Sequence, residues 1–352
     1  MSKLLILSGA GEPSYSSNKA LTHAFRSLGH DVIFMGPGYF DRYEADILLP
    51  DIPYPELYSY DMVLEKSPWQ PDLLLNISPH AFLTGIKPPE IKSCLYTTDP
   101  HREGEFIYRI AAQGSYNFLF LGQRHFMEPF YSLESKSITV EYLPVGFDER
   151  RFPEDAMRDD PVCSVVFVGQ TGLSGLNFPN EDECGRYTTT TPELSIPQRY
   201  AFSGHPGYDY AERGELLYRL CKIFDVRIYD QVWETPKYCK ALRKGALGFN
   251  CSLLQDISIR ILESSAAGRL VVTDTVPGLA KLMAHHYIPY SLRWKPFFPN
   301  FNLDVQLICE QIEYWLNNDR GREVMAKNAK EHVWANHSWR CRAQELLGIV
   351  FG

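Results

Sequence analysis

Short, wholly apolar segments alternate with amphipathic ones along nearly the whole chain, and that rhythm limits the fold more than any motif. Lys3–Ser8, Asp31–Met35, Asp72–Ile77, Lys92–Thr97, Asn117–Leu121 and Ile138–Leu143 each read as a buried strand, and Ser17–Leu28 as a helix with one apolar face. A strand that is apolar throughout, rather than at every second position, has both faces covered. Helices on both sides of a parallel sheet supply that cover. Leu143–Pro153 breaks the rhythm with two prolines and a run of charges, as a linker does. A second series starts at Cys163–Gly169 and continues through helix Glu212–Ile223, strand Val226–Tyr229, helix Pro236–Arg243, strand Ala246–Cys251, a helix from Ser258 and strand Leu270–Thr273. After Asn300 the pattern is helical, with Leu303–Leu316, Arg320–Ala335 and Ser338–Val350, and Asp319 and Ser338 as expected caps of the last two.

A length of 352 residues exceeds the size at which one core stops growing. The expected organisation is α/β: a doubly wound domain over residues 1–155, a second over 156–335, and a terminal helix at 336–352 that returns to the first. Such folds bind ligands beyond the carboxyl ends of their strands. Residues 173–208 interrupt the second domain with many Thr, Pro, Gly and Asn and no sustained period. They read either as a lid or binding loop, or as a tolerated insertion or oligomer contact.

Composition removes several classes. No apolar run is long enough to span a bilayer. The opening Met1–Gly9 has an apolar core of four residues, short for a signal peptide and suited to a first strand. Eight cysteines are scattered without paired or metal-type spacing, which points to reduced thiols and a cytoplasmic location. The net charge of −8 disfavours a nucleic-acid-coating surface, although Arg102, Arg109 and Arg124 are candidates for a local basic groove.

Ser258–Gly268, followed at once by Arg269–Asp274, reads as a short helix capped by Asp256 or Ser258, closed by Gly268 and running into a buried strand. Arg260 and Glu263 stand three apart near the helix start and its partial positive charge. That pair suits a ligand with phosphate at one end and sugar hydroxyls at the other. The plainer reading is an exposed ion pair of little energetic weight.

The blocks Val166–Gln170, Tyr210–Leu217, Gly248–Ser252, Ile257–Glu263 with Ala266–Gly268, Val272–Asp274 and Asn336–Ala343 follow one another over roughly residues 160–345. Their order and spacing resemble the GT-B glycosyltransferases, most closely the spore-maturation (CgeB-like) glycosyltransferase family. In the first half, Asp99–Pro100 and Tyr142–Pro144 are the better local matches. The resemblance implies a GT-B fold, with two Rossmann-like domains facing across a cleft and helices at the C-terminus. It also implies a hexosyltransferase-type enzyme that holds a nucleoside-diphosphate sugar in its second domain and an acceptor in its first. A UDP-sugar is the first choice of co-substrate, with no other cofactor and no metal.

Glu263 falls on the second glutamate of the E-x7-E motif of the retaining members, which accepts hydrogen bonds from the donor ribose. Arg260, Arg213 and the helix start then face the diphosphate, and Gly169 and Gln170 lie where the backbone approaches the ligand. The first glutamate of the motif is replaced by Gln255, which leaves sugar identity and retaining stereochemistry open. Tyr229, Trp233 and Asn250 are candidates beside the base. Gly9 and Gly11 form a weak phosphate or acceptor loop that lacks the full dinucleotide-binding pattern. Asp99, His80 and His101 are candidate catalytic bases, with His125 a fourth. Glu181–Glu183 reads as a solvated loop, and the adjacent His285 and His286 diverge on a helix, so neither makes a metal site.

The acceptor is open: protein, glycan or small molecule, with a modified DNA base the less favoured alternative. Oligomeric state is open as well. A rival of another class is a non-catalytic two-lobed protein that binds nucleotide sugars or other ligands, kept in view by Gln255. A nicotinamide-dependent dehydrogenase is weakened by the missing glycine fingerprint.

Overall fold

The structure, a computed structural model, describes the chain apart from residues 9–16, 38–44, 51–55, 78–80, 114–115, 153–159, 170, 172–178, 190–207, 230–236, 253–254 and 292–300, and without the side chains of 56, 81, 101–103, 208–212 and 301. The chain divides into two units: residues 1–148 with 338–352, and residues 149–337. The first boundary, between Asp148 and Glu149, falls inside the linker Leu143–Pro153.

In the first unit, Leu4, Leu5, Ile6 and Leu7 of β1 (Lys3–Ser8) are all fully buried, so both faces of the strand are covered. It lies inside a seven-stranded parallel sheet, between β2 (Asp31–Pro37) and β5 (Leu73–Ile77). Outside β2 lies β3 (Ile47–Leu49), and beyond β5 follow β7 (Lys92–Thr97), β8 (Phe118–Leu121) and β9 (Thr139–Tyr142). Helices α1 (Ser17–Ser27), α2 (Tyr60–Lys66) and α3 (Pro100–Gln113) connect the strands. Leu5, Leu7, Leu74, Leu95 and Leu119 form one core with Ile107 of α3. β4 (Glu56–Ser59) and β6 (Ala81–Thr84), a separate two-stranded parallel pair of four residues each, were not expected from the sequence.

The second unit is built around β10 (Cys163–Val168) and runs through β11 (Asn180–Asp182), β12 (Gly185–Thr188), α4 (Tyr208–Cys221), β13 (Val226–Tyr229), α5 (Lys237–Arg243), β14 (Gly245–Asn250), α6 (Ile259–Ala266), β15 (Leu270–Asp274), α7 (Leu279–Leu282), β16 (Ile288–Tyr290), α8 (Phe301–Asn317) and α9 (Asp319–Asn336). The sheet order is β11-β12-β13-β10-β14-β15-β16, parallel from β13 to β16. Part of the 173–208 stretch is therefore structured. β11 and β12 form a hairpin whose second strand adds antiparallel to β13, with Tyr187 opposite Tyr229. The strands are short and polar, which hides them from periodicity. The cap of α9 is Asn318, whose Oδ1 accepts the Gly321 N–H at 3.1 Å. Asp319, the expected cap, is the first helical residue and pairs with Arg322 at 2.6 Å.

The last helix, α10 (Trp339–Phe351), belongs to the first unit. Ser338 caps it by accepting the Cys341 N–H at 3.3 Å. The Trp339 N–H donates to the Phe147 carbonyl at 3.0 Å, and the buried indole meets the Tyr96 ring edge-on at 6.2 Å. Contact this close requires Gly146, where a Cβ would sit 2.8 Å from the Trp339 nitrogen and 2.9 Å from the Ser338 carbonyl carbon. Both obstacles are backbone, so neither can rotate away. Gly146→Ala is expected to destabilise the protein by about 1–3 kcal/mol, read as a shift in the denaturant midpoint. An unchanged midpoint would show that α10 docks otherwise.

Candidate functional site

In the second unit the chain leaves β10 for β13 on one side and returns to β14 on the other. The carboxyl ends of β10 and β14 therefore flank the switch point of the sheet, where doubly wound folds bind ligands. Immediately after β10, Gly169 adopts φ +136°, a conformation that favours glycine. A Cβ there would also collide with Arg260 Nη2. Ser258 caps α6 by accepting the Arg260 N–H at 3.4 Å, settling the choice against Asp256. That start aims Arg260 back across the strand ends.

Arg260 Nε donates to the Val168 carbonyl at 2.5 Å and Nη1 to Asn250 Oδ1 at 2.9 Å. Both acceptors are neutral. Its guanidinium lies 4.6 Å from the centre of the Phe167 ring, and that of Arg213 lies 5.8 Å from the same ring. Arg213, from α4, clasps the Cys251 carbonyl with Nε at 2.9 Å and Nη2 at 2.6 Å. Two guanidinium groups thus share one buried aromatic at the end of β10. The residue Arg260 keeps partial exposure, but its charged head is crowded by protein, and this burial pulls its pKa down to about 10. Repulsion from Arg213 is the second cause, and the opposing pulls of Tyr238, Glu263 and Asp256 are smaller. The arrangement concentrates positive charge at the end of β10.

Asn250 is fully buried and orients Arg260 rather than facing a ligand. Its Nδ2 donates to Thr273 Oγ1 at 3.0 Å and to Ser252 Oγ at 3.3 Å, which fixes Oδ1 toward the guanidinium. Asp274, at the end of β15, accepts the Ser252 N–H at 2.8 Å, and burial raises its carboxyl pKa. Asp274 closes the strand that follows α6.

Glu263 and Arg260 do not pair, contrary to the plainer reading of the helix. Glu263 is 3% exposed. Its Oε1 accepts from Arg151 Nη1 at 2.9 Å and its Oε2 from the Tyr238 hydroxyl at 2.5 Å. The Arg151 guanidinium lies 4.0 Å from the centre of the Tyr238 ring. Burial, then the adjacent Glu263 charge, pushes the Tyr238 hydroxyl pKa well up. The expected ribose carboxylate is therefore already held by two internal donors.

Tyr229 is a core residue, not a flat surface open to a base. It is fully buried, with its hydroxyl donating to Asp182 Oδ2 at 2.7 Å and its ring against Tyr187 at 5.3 Å. Gln255 is exposed, with a positive φ of 61°. In the first unit, Asp99 is half-buried and directly precedes Pro100 of α3, where a carboxylate also serves as a helix cap. His125 is half-buried against Phe126, with the rings 4.2 Å apart. Arg109 lies over Phe106 at 6.0 Å and Arg124 over Tyr142 at 5.7 Å, two different rings. Gly9, Gly11, His80, Gln170 and Trp233 lie outside the described residues, as do the side chains of His101 and Arg102. Among the described residues no three metal-ligating side chains converge, and no helix is long and apolar enough to cross a membrane.

Residues 207–348 match the family described as glycosyl transferase-like. Solved structures are similar over the full length. A sucrose-phosphate synthase of Thermosynechococcus elongatus has a TM-score of 0.55 at 12% identity, with 99% of this chain and 98% of that chain covered. HepE of Anabaena, in complex with UDP-glucose, has a TM-score of 0.56 at 13% identity with both chains fully covered. An alpha-glucosyltransferase, in complex with UDP and a 13-mer DNA containing an HMU base, has a TM-score of 0.61 at 12% identity, again with both chains fully covered. The protein is a glycosyltransferase of the GT-B fold. No curated protein matches this glycosyltransferase by sequence.

Arg151, Tyr238, Thr273 and Asp274 take part in these clusters without having been candidates. Asp274 was accessible to reasoning, as an acid at the end of an apolar strand. Arg151 was not, since 112 residues separate it from Glu263. Removing Arg151 strands a buried carboxylate, so Arg151→Ala is expected to cost about 3–5 kcal/mol in urea unfolding. The double variant R151M/E263Q, which keeps an acceptor for Tyr238, should recover most of that loss. Equal losses in the single and double variants would contradict this account of the pair.

Proposed function

We propose that this glycosyltransferase takes its sugar from a nucleoside-diphosphate sugar, with Arg260 and Arg213 binding the diphosphate without a metal ion. The observation that carries the reading is the pair of guanidinium groups gathered on Phe167 at the switch point of the second unit. A diphosphate offers Arg260 the charged acceptor its neutral partners do not, and bidentate contacts of that kind are short and strong. As the glycosidic bond to phosphate breaks, negative charge grows on the leaving diphosphate, and fixed cations stabilise it without reorganisation.

UDP is the first nucleotide to test, because UDP-glucose and UDP accompany two of the structural neighbours. In this reading Glu263 takes the ribose hydroxyls through lone pairs its two internal donors leave available. The acceptor is assigned to the first unit, with Asp99 ahead of His80 and His101 as general base if the reaction inverts. Gln255, in place of a glutamate, leaves the stereochemical course to experiment. We further place the protein in the spore-maturation (CgeB-like) family and its activity in the cytoplasm. A protein, glycan or small-molecule acceptor fits the net charge of −8 better than DNA.

Incubation with a panel of nucleotide sugars and acceptor extracts, scored by nucleotide release, tests the activity. Release that persists in EDTA and falls at least tenfold in Arg260→Ala is expected, with an unchanged circular dichroism spectrum. Tight binding without release from any donor would instead support a non-catalytic binding protein.

The pH dependence follows from Arg260. Its pKa of about 10 in the folded protein lies below the ordinary arginine value, and it is charged at neutral pH. UDP affinity should hold steady from neutral pH and fall as pH rises through about 10, where the proton is lost. The effect on folding has the opposite sense. Burying the charge costs stability at neutral pH, and that cost shrinks as pH climbs above about 10 toward the ordinary arginine value. UDP affinity unchanged up to about pH 11 would remove Arg260 from the site.

A further inference from the structure

The second unit also contains a cavity of about 370 Å³ at the other end of α6, away from Arg260. An eight-residue helix is about 12 Å long, so the two places are separate. Four cationic side chains line the cavity: Arg243 at the end of α5, Arg269 just before β15, and Lys327 and Lys330 on α9. The acid among the lining residues is Glu323, and Glu331 pairs with Lys327 from outside at 3.7 Å. Positive charge therefore exceeds negative at this spot in a chain whose overall charge is −8.

We propose that this cavity binds a phosphate-bearing small molecule, a phosphomonoester on a body about the size of a sugar. The two arginines are set in place by the backbone. Arg243 Nε donates to the Ala267 carbonyl at 3.3 Å, and Arg269 Nη2 donates to the Arg243 carbonyl at 2.6 Å. Arg243 is 6% and Arg269 4% exposed, so each is held before a ligand arrives. The terminal nitrogens of Arg243 make no hydrogen bond among the described residues, and this planar fork matches a phosphate.

The carboxyl end of α6 opposes an anion through its partial negative charge, worth about half an elementary charge. Its last carbonyls are already satisfied, Ser264 by the Arg269 N–H, Ser265 by the Gly268 N–H, Ala266 by the Trp334 indole N–H at 3.3 Å and Ala267 by Arg243. Glu323 and Glu331 offset two of the four cations, and the excess positive charge that is left outweighs what remains of that end. A bare phosphate would leave most of the cavity empty, since small-molecule sites begin at about 300 Å³. Ala267 and Val324 offer apolar surface to the body of the ligand.

The site is independent of the donor reading, and its test does not involve the reaction. Full-length protein is titrated calorimetrically with inorganic phosphate and with ribose 5-phosphate at constant ionic strength, with and without UDP. Binding of ribose 5-phosphate tighter than that of phosphate is expected, unaffected by UDP. It should weaken about tenfold or more in K327Q/K330Q, whose lysines lie on the α9 surface, and stay unchanged in K136Q. The proposal is overturned if neither compound binds, if K327Q/K330Q binds as well as the parent, if UDP competes, or if sulfate at equal ionic strength matches the ester.

Discussion

Two guanidinium groups on one aromatic ring form the arrangement around which the second unit is organised. Like charges of this kind repel, and burial penalises both, so other parts of the structure must hold them there. Phe167 supplies the face, the Val168 and Cys251 carbonyls supply acceptors, and Asn250 is oriented by Thr273 and Ser252 to supply another. Gly169 gives up its side chain so that Arg260 can occupy the space. Every one of these residues lies at or beside a strand's carboxyl end, or on the helix that follows it. The sheet topology thus places the charge, and the charge accounts for the choice of neighbours.

Helix α6 divides its roles along its length. Its capped start sends Arg260 over the strand ends. One turn later Glu263 reaches Arg151 and Tyr238 in a buried ion pair. Such a pair adds little net stability over apolar packing, yet breaking one side of it is costly. Its effect is to fix the register of α6 against the segment that enters the unit at Glu149–Arg151 and against α5. The same pair limits how freely Glu263 can serve a ribose. Beyond Gly268 the chain leads into the basic cavity, so one short helix connects two concentrations of positive charge with different surroundings.

The sequence was most legible where burial is complete. β1, β10 and β14 read as strands because their residues are apolar or small apart from Lys3 and Asn250 at two of the ends, and the parallel arrangement follows from their covered faces. The helix to Gly268 was visible as well, with its cap narrowed to Asp256 or Ser258 until the fold assigned Ser258. Short or polar strands were not legible. The β11–β12 hairpin carries Asn180, Glu181 and Asp182, and it is held by long-range contacts such as Asp182 with Arg227 at 3.2 Å and with Tyr229. Those contacts also explain why Tyr229 is a core residue, although its position at the end of a strand suggested a ligand contact. Arg260 and Glu263 stand at helix spacing, but their partners lie 92 and 112 residues away, so their separate roles needed the fold.

A crystal structure of the protein soaked with UDP decides whether Arg260 and Arg213 hold the diphosphate. Diphosphate oxygens are expected about 3 Å from the Arg260 guanidinium, at the carboxyl ends of β10 and β14, with Arg213 beside them. UDP bound elsewhere, with Arg260 still on Val168 and Asn250, would contradict that placement.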